Sequence, residues 1–150
     1  MPYDVSVERI VPLPRAKVFA ILYDFGGLKK ILPDGIVSCD CVGEGVGAIR
    51  TIKFANFDGT LVERLEIAYP DSVIAYSIIA NDALPVEHYC AVATLADAAN
   101  GTAITYGSNW MPKGASRGEV QDLLKGFYSA VLDYMEGISI AVQADSIDKN

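Results

Sequence analysis

Glu63 is the residue of this chain best placed to do chemistry. It lies in Leu61-Val62-Glu63-Arg64-Leu65-Glu66-Ile67, where Leu61, Glu63, Leu65 and Ile67 alternate with Val62, Arg64 and Glu66. A period of two marks a half-buried strand, and it turns Glu63 to the same side as three aliphatic residues. Burial there raises a carboxyl pKa unless a cation or hydrogen-bond donors compensate. Arg50 is the candidate partner: a turn centred on Phe57-Asp58 sets Ile52 opposite Glu63 and Arg50 on the diagonal. Such a pair can be purely structural. The carboxylate can also bind a ligand hydroxyl or move a proton next to a carbonyl, and the two roles are compatible.

Tyr76, Tyr89 and Tyr134 supply phenol donors of the kind that an aldol cyclisation, dehydration or isomerisation needs at its carbonyl oxygen. Aromatic residues on strands and on a helix stripe serve equally well as core. The candidate catalytic set is Glu63, Tyr76 and Tyr89. Candidate ligand-binding residues are Arg50, Ile52 and Phe54 on one strand, Ile78, Ala91, Thr105 and Asn109 on later strands, and Phe127, Val131 and Tyr134 on a C-terminal helix. Thr105 and Asn109 share a strand face, but Tyr106 and Trp110 occupy the other, so the inward side of that strand stays open. His88 alternates away from Tyr89 and reads as a surface residue. No Ser/His/Asp or Cys/His arrangement can be drawn, and Cys39, Cys41 and Cys90 with a single histidine form no metal spacing. The cysteines read as small buried hydrophobes in a reducing compartment. Any catalysis is expected to be cofactor-free general acid/base work in a shaped apolar pocket.

The element that must hold these residues is a long amphipathic helix from Ser116 to about Ala144. Val120, Leu124, Phe127, Val131, Tyr134, Ile138 and Val142 recur at spacings of three and four, and Ser116 with Glu119 forms a capping box at its start. At ~1.5 Å per residue it runs roughly 40 Å. The chain offers no second helix of that length, so this one must lie across a sheet. Strands are expected at Tyr3–Val11, Ile36–Cys41, Ala48–Phe54, Thr60–Ala68, Val73–Ile79, His88–Leu95 and Thr102–Met111, with two short helices, Pro14–Phe25 and Leu28–Leu32, after the first. Gly43-Glu44-Gly45-Val46-Gly47 opens a strand rather than a helix and lacks Gly-Lys-Ser/Thr, so it reads as a hairpin connection and not as a phosphate loop. The expected class is α+β: a curved antiparallel sheet of about seven strands wrapped around the terminal helix, one domain over residues 1–150, with 146–150 as a loose tail.

Composition bounds the partners. Apolar residues make up 51% of 150, but no run approaches the ~18 of a membrane span. The excess points to interior surface that includes a cavity. A net charge of −7 with dispersed Lys and Arg argues against nucleic acid and anionic membranes. The first ten residues carry Asp4 and Glu8 and lack the basic flank and apolar run of a signal peptide, so a cytoplasmic monomer or homodimer is expected.

Five stretches in this order carry a resemblance: Pro14 to Phe25, Gly45-Val46-Gly47-Ala48-Ile49-Arg50, Val62-Glu63-Arg64-Leu65-Glu66, Ala75-Tyr76-Ser77-Ile78-Ile79, and His88-Tyr89-Cys90-Ala91-Val92-Ala93-Thr94-Leu95. Together they resemble the helix-grip fold of START domains, the birch pollen allergen class and polyketide cyclase/dehydrase-like proteins, the SRPBCC superfamily, with local likeness to plant abscisic-acid receptors. The resemblance implies a cavity between sheet and helix for a sterol, polyketide or other apolar small molecule. It places Glu63, Tyr76, Ile78, Tyr89, Ala91 and Thr105 on the cavity side. The sequence departs from the receptors at Val37, where their cavity lysine falls, and in a gate loop reduced to Ala55–Gly59, which argues against that receptor mechanism. The expectation is an apolar-ligand domain whose pocket runs cyclase, dehydratase or isomerase chemistry. The rival is a carrier or sensor without chemistry, gated around Asn81–Glu87.

Overall fold

The computed structural model describes residues 3–148, with side chains as far as residue 138. Strand β1 (Val5–Val11) is followed by helices α1 (Arg15–Tyr23) and α2 (Leu28–Ile31). Strands β2 (Ile36–Val42), β3 (Ile49–Phe54), β4 (Leu61–Tyr69), β5 (Val73–Asn81), β6 (Val86–Ala98) and β7 (Gly101–Pro112) come next, and α3 (Arg117–Asp148) closes the chain. The seven strands form one curved antiparallel sheet in the order β1-β7-β6-β5-β4-β3-β2. This is the helix-grip arrangement: sequential strands pair through short turns, and the first strand joins the last.

Alternation decides the faces. Along β7 Thr102, Ile104, Tyr106, Ser108 and Trp110 are buried, while Asn109 and Met111 are exposed. Irregularities then re-aim individual side chains, as bulges do. On β6, Val86 is buried, the register shifts between Glu87 and Cys90, and His88 takes a left-handed φ of 53°. Past that shift the buried positions become Tyr89, Ala91, Ala93 and Leu95. On β4 a second irregularity lies between Leu65 and Ile67, so Leu65 is fully buried while Ile67 is 52% exposed instead of facing inward with it. The loop at Gly43, Gly45 and Gly47 turns through left-handed backbone and joins the antiparallel pair β2–β3.

The helix start is fixed twice over. Ser116 Oγ accepts from the Glu119 N–H at 3.1 Å and Glu119 Oε1 accepts from the Ser116 N–H at 3.3 Å, which is the capping box. Asp4 ties β1 to the same turn, since its carboxylate accepts from the Trp110 N–H at 2.9 Å and from Arg117 at 3.0 Å. The buried face of α3 differs from the expected stripe. Val120, Leu124, Tyr128, Val131, Leu132 and Met135 are buried, whereas Phe127, Tyr134 and Ile138 only flank that core. A helix gripped by a curved sheet buries a band wider than one alternating stripe, and the band here includes the steps of four from Val120 through Leu132. The Val142 side chain lies outside the described residues. The helix continues to Asp148 and so takes in the first residues of the expected tail, of which 149 and 150 lie outside the described residues.

The cysteines are not core. Cys39 is half-buried, Cys41 and Cys90 are exposed, because β2 is an edge strand and Cys90 points to the outer face of β6. Val37 is likewise 53% exposed.

Candidate functional site

Arg50 and Glu63 meet across β3 and β4. The register sets them directly opposite each other and Ile52 opposite Leu61, because the connection between the strands is centred one residue earlier than Phe57-Asp58. Each cross-strand partner therefore moves by two residues, and the expected diagonal pair becomes a direct one. Both residues are buried, at 6% and 4% exposure. The Nε–H of Arg50 donates to Oε1 of Glu63 at 2.9 Å and Nη2 lies 2.7 Å from the same oxygen. The third contact, from Nη1, goes to the Phe25 carbonyl at 3.3 Å. One face of the guanidinium rests 3.9 Å from the centre of the Phe25 ring, and the Tyr76 ring lies 4.9 Å away. Arg50 is thus committed to Oε1, which leaves Oε2 as the carboxylate oxygen available to a neighbour.

Beyond the pair stand four phenols. Tyr76 and Tyr106 share a hydrogen bond between their hydroxyls, and so do Tyr89 and Tyr128. The rings of Tyr106 and Tyr128 stack with centres 4.2 Å apart. The Tyr128 hydroxyl donates to Ser108 Oγ at 2.7 Å, so the hydrogen between Tyr89 and Tyr128 comes from Tyr89. The Tyr76–Tyr106 bond uses only one of its two phenolic hydrogens, and the other remains free to donate.

These groups wall a cavity of about 50 Å³ between the sheet and α3. Its lining includes Arg50, Ile52, Phe54, Glu63, Tyr76, Ile78, Tyr89, Phe127 and Val131 from the residues singled out in the sequence. The fold therefore gathers nine of them. Four stand elsewhere. Ala91 is fully buried on the inward face, but its methyl group stops short of the cavity wall. Thr105 and Asn109 belong to the outer face of β7, where Asn109 Oδ1 accepts from the Asp4 N–H at 3.0 Å; the inward positions are taken by Tyr106 and Ser108. Tyr134 lies on the outer flank of α3, and Tyr128 holds the phenol position expected of it. Tyr106, Tyr128, Leu84 and Leu124 line the cavity as well, although none stands among the candidate site residues.

Leu84 reaches the wall because the loop before β6 is clamped. Oδ1 of Asn81 accepts from the Ala83 and Leu84 N–H groups, both at 2.9 Å, while its Nδ2 donates to the carbonyls of Leu84 and Val86. Leu32 and Phe127 line both the cavity and an outer groove of about 770 Å³ between the α2–β2 loop, the β3–β4 turn and α3. Phe54 packs against both Phe57 and Phe127 with ring centres 5.7 Å apart. The inner cavity is small beside the ~300–1,000 Å³ of ligand pockets. Its volume holds a few waters at most.

The electrostatics follow from enclosure. Burial pushes the Glu63 carboxyl above the ordinary carboxylate range, with Arg50 opposing. Burial is also the largest influence on Arg50 and works against its charge, but Glu63, Tyr76 and Tyr106 together outweigh it, and the guanidinium stays ionised. Tyr106 is pushed up to about 12 by burial, and burial raises Tyr76, Tyr89 and Tyr128 as well. The phenols are therefore neutral hydrogen-bond donors at physiological pH.

A family described as polyketide cyclase / dehydrase and lipid transport matches residues 2–136. The chain belongs to this family. No curated protein matches the sequence. Among solved structures of this family's helix-grip fold, the protein XoxI from Bacillus cereus is similar at 21% identity and a TM-score of 0.76, covering 93% of this chain and 96% of that one. Ara h 8.0201 follows at 20% and 0.72, covering 91% and 96%. Norcoclaurine synthase from Thalictrum flavum is similar at 17% and 0.74, covering 91% and 85%. At these identities the likeness is one of fold. As a family member, the chain has a role in hydrophobic ligand binding or polyketide cyclase-like chemistry. Among the described residues no helix is long and apolar enough to cross a membrane.

Proposed function

We propose that this polyketide cyclase/dehydrase family member binds an apolar small molecule between its sheet and α3 and processes it by cofactor-free general acid/base chemistry. The observation that carries the reading is the one-sided ion pair: both Arg50 contacts fall on Oε1 of Glu63, and the carboxylate lines a phenol-walled cavity. In the proposed step Oε2 takes a proton from the carbon next to a carbonyl. The electron pair moves onto the carbonyl oxygen, which accepts the hydrogen left over by the Tyr76–Tyr106 pair. Return of the proton to another position of the same molecule completes an isomerisation, and its loss with a hydroxyl completes a dehydration. The raised carboxyl pKa suits this role, because a base closer to neutral pH both accepts and returns a proton.

A ligand larger than the cavity of about 50 Å³ needs Leu32 and Phe127 to give way toward the groove. The structure of norcoclaurine synthase in complex with dopamine and hydroxybenzaldehyde supports the capacity of such a scaffold for small aromatic molecules. The test is native mass spectrometry of the purified protein, followed by incubation of the captured compound with wild type and with Glu63→Gln. Wild type is expected to convert the compound and Glu63→Gln to bind it without turnover. Equal turnover by both proteins removes Glu63 from the mechanism, and a compound that wild type returns unaltered makes the protein a carrier.

A further inference from the structure

We infer that a second pocket, on the outside of the molecule where α1, α2 and α3 meet, binds a small monocarboxylate that carries one ring or a short hydrocarbon chain. This pocket of about 230 Å³ shares no lining residue with the cavity between sheet and helix. The inference therefore stands apart from the function proposed above.

Helical spacing builds the pocket. Lys17, Ala20 and Ile21 lie on one face of α1, and Asp24 follows a turn later at its end. Against them α2 presents Lys30 and Ile31, and α3 presents Tyr134 and Ile138, four residues apart on one stripe. The three isoleucines supply the apolar part of the lining, and the single methyl group of Ala20 leaves the space between the helices open. The Tyr134 hydroxyl has no hydrogen-bond partner among the described residues.

The charges select the ligand. Two ammonium groups, Lys17 and Lys30, stand against one carboxylate, Asp24. Lys17 has no ion-pair partner among the described residues. Lys30 Nζ lies 3.7 Å from Asp24 Oδ2, beyond the ~2.7–2.9 Å of a charge-assisted hydrogen bond, so its donors remain available. A chain of net charge −7 thus carries a partly apolar pocket with one surplus positive charge. A carboxylate cancels that surplus, and the hydrocarbon behind it covers the isoleucines. An ammonium doubles the surplus, and a dianion reverses it. At about 230 Å³ the space falls below the ~300 Å³ at which drug-sized pockets begin, which limits the hydrocarbon to one ring or a short chain.

The test titrates benzoate, benzyl alcohol, benzylamine and acetate into the wild-type protein at neutral pH and low salt. It follows the methyl NMR signals of Ile21 and Ile138 beside those of Ile52 and Ile78, which line the inner cavity. Benzoate is expected to shift Ile21 and Ile138 and to bind about fivefold or more tighter than benzyl alcohol, as partly exposed charge pairs allow, with benzylamine weakest. Added salt should weaken benzoate and leave benzyl alcohol unchanged. Lys17→Met/Lys30→Met changes two exposed positions and should bring benzoate and benzyl alcohol to one affinity. Benzylamine as tight as benzoate, or a double variant that still prefers benzoate, overturns the charge argument. Acetate as tight as benzoate overturns the apolar contact. Benzoate that moves Ile52 and Ile78 while Ile138 stays still occupies the inner cavity instead, and that result, or no shift at Ile21 and Ile138 with any probe, removes the site.

Discussion

Replacing Arg50 by leucine isolates what holds Glu63 in the interior. Both side chains of the pair are nearly inaccessible, so removing the guanidinium leaves a carboxylate among aromatic and aliphatic walls with no cation. Breaking a buried pair from one side costs about 3–5 kcal/mol, a large share of the about 5–15 kcal/mol that stabilises a domain. Removing both charges in Arg50→Leu/Glu63→Leu is expected to cost far less, because a buried ion pair repays little more than its own desolvation. Urea unfolding of wild type, both single variants and the double variant closes the cycle. The pH dependence carries a second, independent sign. A carboxyl whose folded pKa lies above the ordinary value of 4.5 stabilises the fold fully below that value and loses the contribution as pH rises through the folded pKa. Arg50→Leu moves the folded pKa of Glu63 further up, so the stability gap to wild type should be small in acid and widen toward neutral pH. A gap of about 1 kcal/mol or less at neutral pH, the size of an exposed pair, or a gap that does not change with pH, refutes the account of a desolvated pair.

The phenol chain and the aromatic partition give two further expectations. Tyr128→Phe strands the Tyr89 hydroxyl and Ser108 Oγ together and should cost about 1–3 kcal/mol, whereas Tyr89→Phe leaves Tyr128 bonded to Ser108 and should cost about 0.5–1.5 kcal/mol by chemical denaturation; the reverse order refutes the donor assignment. Phe127→Ala should join the cavity to the outer groove and cost less than the ~3–5 kcal/mol of a fully buried phenylalanine; xenon-pressurised crystals should show gas at the former ring position, and a collapsed, dry site there contradicts the partition.

Periodicity carries the architecture, and local irregularity decides the site. The succession of strands along the chain, the two early helices and the terminal helix were all legible, because alternation of two and of three to four leaves a strong signal over long segments. Glu63 was legible for the same reason. The direct pairing of Arg50 with Glu63 was not, since moving a turn centre by one residue moves each partner by two, and the Asn56-Phe57-Asp58-Gly59 turn admits both centres. Tyr128 was hidden by choice of stripe: Val120, Leu124, Tyr128 and Leu132 repeat by four as clearly as the chosen residues repeat by three and four. Tyr106 was hidden by the parity of β7, where either face carries polar and apolar residues. The left-handed His88 that accompanies the change of burial phase at Tyr89 leaves no mark in the sequence, because φ is set by the tertiary pairing of β6 with its neighbours.

The ion pair is the feature that stability explains least. A leucine at position 50 and another at 63 would pack against Ile52 and Leu65 and spare the desolvation of two charges. The pair also makes poor use of its own donors, since Nε and Nη2 converge on Oε1 instead of spreading over both oxygens as a bidentate fork does. A pair built to lock two strands would take the fork. A pair built to hold a carboxylate at a cavity wall, ionised but with one oxygen unspent, takes the arrangement seen here. Near-equal stability of the double leucine variant, together with lost turnover of the captured compound, would separate these purposes in a single protein.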